Sequence, residues 1–247
     1  MHPWLRSLLS LLGLLALWQL AAVMAADPVL MPAPGPVFAT LWREAASGAL
    51  VHHLLATLGR VAASFVIAFA LGAAIGYLMG RVPLLDDILG PWVVFFLNLP
   101  ALVIIILAYI WIGLDESAAI LAVAANKIPN VAVTFREGSR ALDRSLLEMA
   151  QVFDVGRWRT LRHVVLPQLW PFAAAAARSG LALIWKIVLV VELLGRPSGV
   201  GFQLGMYFQL FDVKSILAYA LSFIAVVQAI EWGVIQPLER RATRWRR

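Results

Sequence analysis

Apolar stretches close to 20 residues long recur along this chain, and no other feature of the sequence limits its fold as tightly. A helix needs about 20 predominantly apolar residues to cross a hydrocarbon core of about 30 Å. Five segments, near 7–25, 61–80, 91–112, 172–195 and 214–235, meet or approach that length with little interruption. A sixth, near 117–134, is apolar but carries Asn126, Lys127, Pro129 and Asn130. Such groups are disfavoured by lipid and normally face a bundle interior or an interface. Because backbone polar groups in lipid must be paired within the protein, repeated spans of this length predict an all-α polytopic membrane protein with six transmembrane helices. Composition agrees, with 62% hydrophobic and 14% charged residues, against about 45–50% and about 25% in a soluble domain. One transmembrane domain over residues 1–247 is expected, with no second domain and no repeat of 20–50 residues.

The first segment has two readings. Arg6, the run LLSLLGLLALWQLAAV and the small residues of MAAD have the order of a signal peptide. The run is longer than the roughly 7–15 residues of such a segment, and the rest of the chain is itself membrane-embedded, so an uncleaved first span is expected. Orientation follows from the basic residues, which short cytoplasmic loops hold in excess. With the N-terminus inside, the inner segments hold Arg6, Arg81, Arg136, Arg140, Arg144, Arg157, Arg159, Arg162 and the tail arginines Arg240, Arg241, Arg244, Arg246 and Arg247. The outer segments hold chiefly Arg43, Arg60, Arg196 and Lys214. Six spans then place both termini in the cytoplasm. The net charge of +6 lies mostly between apolar segments, so it sets topology and no nucleic-acid partner is expected.

Several chemistries are excluded or unsupported. The chain has no cysteine, which removes disulfides, thiolate metal sites and Cys nucleophiles. Its histidines, at 2, 52, 53 and 163, are scattered, and no metal site is expected. No G-x-S-x-G brackets a serine nucleophile, and no GxxxxGK[ST] provides a phosphate loop, so any ATP and Mg²⁺ belong to another subunit. No catalytic residue is expected, nor a cofactor on this chain, and there is no room for a soluble catalytic domain. A secondary transporter or channel is the rival reading. It predicts inverted repeats, and none is visible.

The segment 135–171 mixes apolar and charged residues and reads as folded rather than as a linker. Around SLLEMAQVF, Leu146, Leu147, Met149, Ala150 and Val152 share a pattern that leaves Glu148 and Gln151 on another face, as in a short amphipathic helix. Pro167 and Pro171 are expected to fix re-entry into the fifth span. Met31 to Pro36, MPAPGP, reads as an extended turn rather than helix. Gly72, Gly76 and Gly80 form a small-residue ladder on one helical face, expected to let another helix approach closely. Arg178, Lys186 and Glu192 lie inside the fifth apolar segment, where ionisable groups are candidates for a pathway or gating role. Lys186 and Glu192 are six residues apart, about 240° around a helix, so they do not share a face. Arg178 is expected to snorkel toward the cytoplasmic end.

The stretch EMAQVFDVGRWRTLRHVVLP, Glu148 to Pro167, resembles the EAA loop of ABC importer permeases. Counting from Glu148, Ala150 stands at the third position, Val164 at the seventeenth, and Leu166 and Pro167 at the last two, without gaps. Met149 replaces the first Ala of the pattern, and Asp154 stands where its Gly is expected, with Gly156 two residues later. Further pieces resemble the nitrate, sulfonate and taurine branch in the same order: MPAPGPVFATLW, HLLATLGRVAASFVIAFALGAAIGYLMG, NLPALV, WIGLDES, VVELLGRPSGVGFQL and LERR. NLPALV lacks the Ile expected before its proline. The resemblance implies a bacterial inner-membrane permease of the type I importer fold, working as a homodimer by alternating access. Its implied partners are a cytoplasmic ABC ATPase and an extracytoplasmic substrate-binding protein. On this reading Glu148, Met149, Ala150, Asp154, Gly156, Leu166 and Pro167 form the ATPase-coupling loop. A binding protein would choose the solute, which the sequence leaves open among nitrate, sulfonate, taurine and small heterocyclic nutrients.

Overall fold

The computed structural model describes residues 3–237, and these are helical from end to end with short breaks. The order is α1 Pro3–Ala25, α2 Pro34–Ala46, α3 Ala49–Arg81, α4 Pro83–Asn98, α5 Ala101–Ile112, α6 Glu116–Arg140, α7 Arg144–Val152, α8 Arg157–Thr160, α9 Leu166–Gly195, α10 Val200–Gln209 and α11 Val213–Ile230. A π-helical turn, Leu161–Val165, leads into α9, and a second, Glu231–Ile235, follows α11. The tail arginines Arg240 to Arg247 and His2 lie outside the described residues.

Five helical stretches are long and apolar enough to cross a bilayer: α1, α3, α6, the continuous run Arg157–Gly195 made of α8, the π-helical turn and α9, and α11 with the turn after it. The sixth expected span, 91–112, is not one continuous helix. It is divided between α4 and α5, which meet at a bend of 98°. The cause is Pro100, which has no N–H to continue the ladder and pushes the preceding residue out of helical space. Leu99 accordingly has ψ 123°, and the chain restarts as helix at Ala101. Counted as one broken span, the pair brings the total to six.

Two further expectations are corrected. MPAPGP is only partly extended: α2 begins at Pro34, so Pro34, Gly35 and Pro36 form its first turn. A proline there loses no helical hydrogen bond, and its fixed φ suits the helix start. The segment 135–171 is also less loop-like than expected, because α6 continues to Arg140 and α9 begins at Leu166, with Pro171 inside it.

The described chain forms two compact units. One comprises the residues up to Thr57 together with Glu192–Gln228, and its buried apolar residues include Val37, Leu50, Val200, Ala218 and Tyr219. The other comprises Leu58–Val191 and the described residues from Ala229 onward. Within the second unit α6 is the most enclosed span, which accounts for the polar residues that make it the least apolar of the five. Asp115 caps its start by accepting from Ala118 N–H at 2.9 Å. Lys127 is 2% exposed, and Val131 and Phe135 pack with Leu142, Val165, Leu169 and Ala176.

Gly72, Gly76 and Gly80 of α3 meet this helix at close range. A Cβ on Gly72 would sit 2.6 Å from the Val131 Cβ, one on Gly80 would sit 2.6 Å from the Arg136 carbonyl oxygen, and one on Gly76 would overlap the Ala132 carbonyl. Only glycine allows this approach. Arg60, 4% exposed, closes the same helix pair by donating through Nε and Nη2 to Glu116 at 2.7 and 3.0 Å. Ser64 adds a bond to the Ile120 carbonyl at 3.2 Å.

Candidate functional site

The segment between α6 and α9 builds a projecting knob. Its first helix, α7, starts at Asp143, whose Oδ1 accepts from Ser145 N–H at 2.8 Å, an N-cap that satisfies one of the helix's unpaired donors. The Asp143 N–H donates in turn to Gln168 Oε1 at 2.8 Å, which ties the knob to the first turn of α9. Ala150 is buried beneath the helix, while Glu148 and Met149 are exposed.

The end of α7 explains how the loop turns without the expected glycine. Val155 N–H donates to the Ala150 carbonyl at 2.8 Å and Asp154 N–H to the Gln151 carbonyl at 3.0 Å. These two bonds define a Schellman cap, whose penultimate position needs a left-handed backbone. Asp154 takes that role with φ 49°. Aspartate tolerates this region better than most residues, though less well than glycine. Gly156, two residues on, is the N-cap of α8 with an ordinary φ of −52°, and a Cβ there would meet nothing within 4 Å. It is therefore not the residue that makes the turn.

Leu166 and Pro167 stand exposed at the start of α9, away from the cap. Behind the knob lies a cleft of about 540 Å³, lined by Tyr77, Leu147, Ala150, Asp154, Arg157 and Thr160 among others. The knob's outer surface is apolar where a water-facing loop should be polar. Val152 is 81% exposed, Phe153 74% and Trp158 72%, and Met149 is exposed as well. Exposed large apolar side chains on one short segment are a signal of an interaction surface. Sequence reasoning missed Phe153 and Trp158. The available signal was two aromatics placed among the charged residues of an otherwise basic loop.

In the other unit Glu192 is fully buried. Its Oε2 accepts from Thr57 Oγ1 at 2.9 Å and from Gly201 N–H at 2.8 Å. Val200 N–H donates to Thr57 Oγ1 at 2.8 Å, so Glu192 and Thr57 together satisfy the first turn of α10. An acidic group at a helix N-terminus is favoured by the free N–H groups and the helix dipole. Gly199, just before α10, has φ 114°, and a Cβ there would overlap the Glu192 carboxylate, so only glycine fits.

His53, one turn before Thr57, accepts from Gly199 N–H through Nδ1 at 3.1 Å. Its proton then sits on Nε2, 2.6 Å from the Gln203 amide. That proton needs an acceptor, which calls for the amide to turn its oxygen toward the ring. His53, Thr57 and Gln203 were not predicted. The legible hint was a His and a Thr four residues apart within an apolar helix.

Beyond α10, Asp212 caps α11 by accepting from Ser215 N–H at 3.1 Å and Ser215 Oγ at 2.6 Å. Partial burial would raise its carboxyl, but the Ser215 bonds and the Lys214 charge outweigh that and hold it below the usual carboxylate range.

The two other ionisable groups of the fifth apolar segment differ from Glu192. Arg178 pairs with Glu231 at 3.4 Å. Lys186 is exposed on α9. Of the predicted loop residues, Glu148, Met149, Ala150, Asp154 and Gly156 belong to the knob, whereas Leu166 and Pro167 belong to the first turn of α9. Among the described residues no group of three or more His, Asp or Glu is placed to hold a metal.

A family model described as "binding-protein-dependent transport system inner membrane component" matches residues 68–233. An ABC transporter permease protein of Brucella melitensis is 30% identical over 222 residues, covering 90% of this chain and 89% of that protein. The aliphatic sulfonates transport permease protein SsuC of Escherichia coli (strain K12) is 30% identical over 238 residues, covering 94% and 89%. Among solved structures, an inward-facing form of the MetNI methionine ABC transporter superposes with a TM-score of 0.66 at 17% identity, covering 76% of this chain and 95% of that one.

Proposed function

The chain belongs to the family of binding-protein-dependent transport system inner membrane components and is a permease of an ABC importer, and on that premise we propose how it works and with what. The α7–α8 knob docks a cytoplasmic ABC ATPase, which binds and hydrolyses ATP with Mg²⁺. Two permease copies flank one pathway in a bacterial inner membrane. A substrate-binding protein delivers the solute from outside. Both termini lie in the cytoplasm, following the excess of arginine in the segments that flank α7 and α8.

The observation that carries this reading is the apolar knob itself. Met149, Val152 and Phe153 are exposed on α7 and its C-cap, and Trp158 on α8; the ends of α7 are fixed by the Asp143 cap on one side and the Schellman turn on the other. Gln168 and the π-helical turn join that knob directly to α9. A displacement of the knob by a partner therefore acts on a spanning helix without an intervening flexible linker. Closure of two ATPases can in this way bias a bundle between outward-open and inward-open arrangements. The solute class proposed is a small sulfonate-like nutrient, in keeping with the relatives' names.

The test is reconstitution of the chain in liposomes with the ATPase and binding protein encoded beside it. ATP-dependent uptake that requires both partners is the expected result. Uptake by the chain alone, without ATP, would overturn the reading and make it a secondary transporter.

A further inference from the structure

Lys186 lies nine residues before the end of α9 at Gly195, about 14 Å along the helix at 1.5 Å per residue. A four-carbon side chain cannot cover that distance to the nearer end of the helix, and the other end is farther away. The residue is exposed, with no partner among the described residues. The neighbouring ionisable groups are engaged: Arg178 with Glu231, and Glu192 with Thr57 and Gly201. An uncompensated lysine facing lipid far from both helix ends is disfavoured and is normally found facing a bundle interior or a water-filled cavity.

A second copy of the chain cannot supply the missing charge. Of its 14 acidic residues, only Glu192 and Glu231 fall within the expected apolar segments, and both are already occupied. What remains is water, and a counter-charge that comes and goes. We propose that Lys186 faces a water-filled solute pathway and binds the anionic oxygen group of the transported solute, which is therefore an oxyanion such as a sulfonate, rather than a neutral heterocycle. This inference rests on the permease reading above.

The absence of cysteine allows a direct test. In membrane vesicles, Lys186→Cys is modified by a membrane-impermeant, sulfonate-bearing methanethiosulfonate reagent. Leu14→Cys on α1, where the apolar face is open and unburied, is not. A Lys186→Cys variant that stays unmodified while Val152→Cys in the exposed knob reacts overturns the proposal.

The second arm uses the reconstituted complex with radiolabelled ethanesulfonate, nitrate and bicarbonate, and with riboflavin as the uncharged comparison. Lys186→Met lowers anion uptake at least tenfold, Lys186→Arg keeps it within about threefold, and both still co-purify with the ATPase. Unchanged uptake in Lys186→Met, or a wild-type complex that carries riboflavin and none of the anions, overturns the assignment. A wild-type chain that binds no ATPase defeats the permease reading itself, and this proposal with it.

Discussion

Gly76→Ala should destabilise the chain, whereas the same change at Gly59, 17 residues earlier in the same helix, should stabilise it. At Gly76 the added methyl would overlap the Ala132 carbonyl of α6, a backbone atom that cannot rotate away. The two helices must separate, and overpacking of this kind costs about 1–3 kcal/mol. At Gly59 a Cβ meets nothing within 4 Å, so only the backbone term remains, a gain of about 0.4–1 kcal/mol. With about 2–4 °C of melting temperature per kcal/mol for a chain of this size, Gly76→Ala should melt about 2–12 °C lower and Gly59→Ala about 1–4 °C higher. The assay is thermal unfolding of the purified protein in one detergent, followed by size-exclusion recovery. Equal shifts for the two variants, or a neutral Gly76→Ala, would refute the claim that α3 and α6 touch backbone to backbone at this position.

Three further outcomes follow from the caps and the buried carboxylate. Asp154→Gly should leave function intact and protect the knob from proteolysis, since it removes a left-handed penalty of about 1–2 kcal/mol; Asp154→Val should do the opposite. Glu192→Ala should lower the melting temperature by several degrees, because Thr57 Oγ1 and Gly201 N–H lose their acceptor in a buried site, at about 1–3 kcal/mol. The Asp212 carboxyl is held below its unfolded value of about 3.9, so its contribution is present above that pH and is lost as the pH falls through the lower folded value. Asp212→Asn should therefore reduce stability at pH 7, and the difference from wild type should shrink on acidification below about pH 4.

The spans were legible because a bilayer demands length and apolarity, and both can be read directly from residues 61–80 or 214–235. The break at Leu99–Pro100 was equally present in the sequence. A hydropathy reading averages over it, since Pro100 sits inside a run that stays apolar on both sides. The loop register from Glu148 to Pro167 could be counted. Whether a turn could close with Asp154 in place of Gly was a question of backbone angle, and only the hydrogen bonds of Asp154 and Val155 answer it. The Glu192 clamp was hidden for a different reason. Its partners Thr57 and Gly201 are separated along the chain by 144 residues, and neither carries a charge that would advertise a buried carboxylate.

If the α7–α8 knob holds the ATPase, co-purification in detergent of the tagged chain with its candidate ATPase will depend on the exposed residues of that knob. Wild type is compared with Phe153→Arg and Glu148→Arg, both at exposed positions where the fold does not depend on the side chain. Wild type should form a stable complex and Phe153→Arg should lose it, with membrane insertion and melting temperature unchanged. A complex that survives both substitutions intact would contradict docking at the knob.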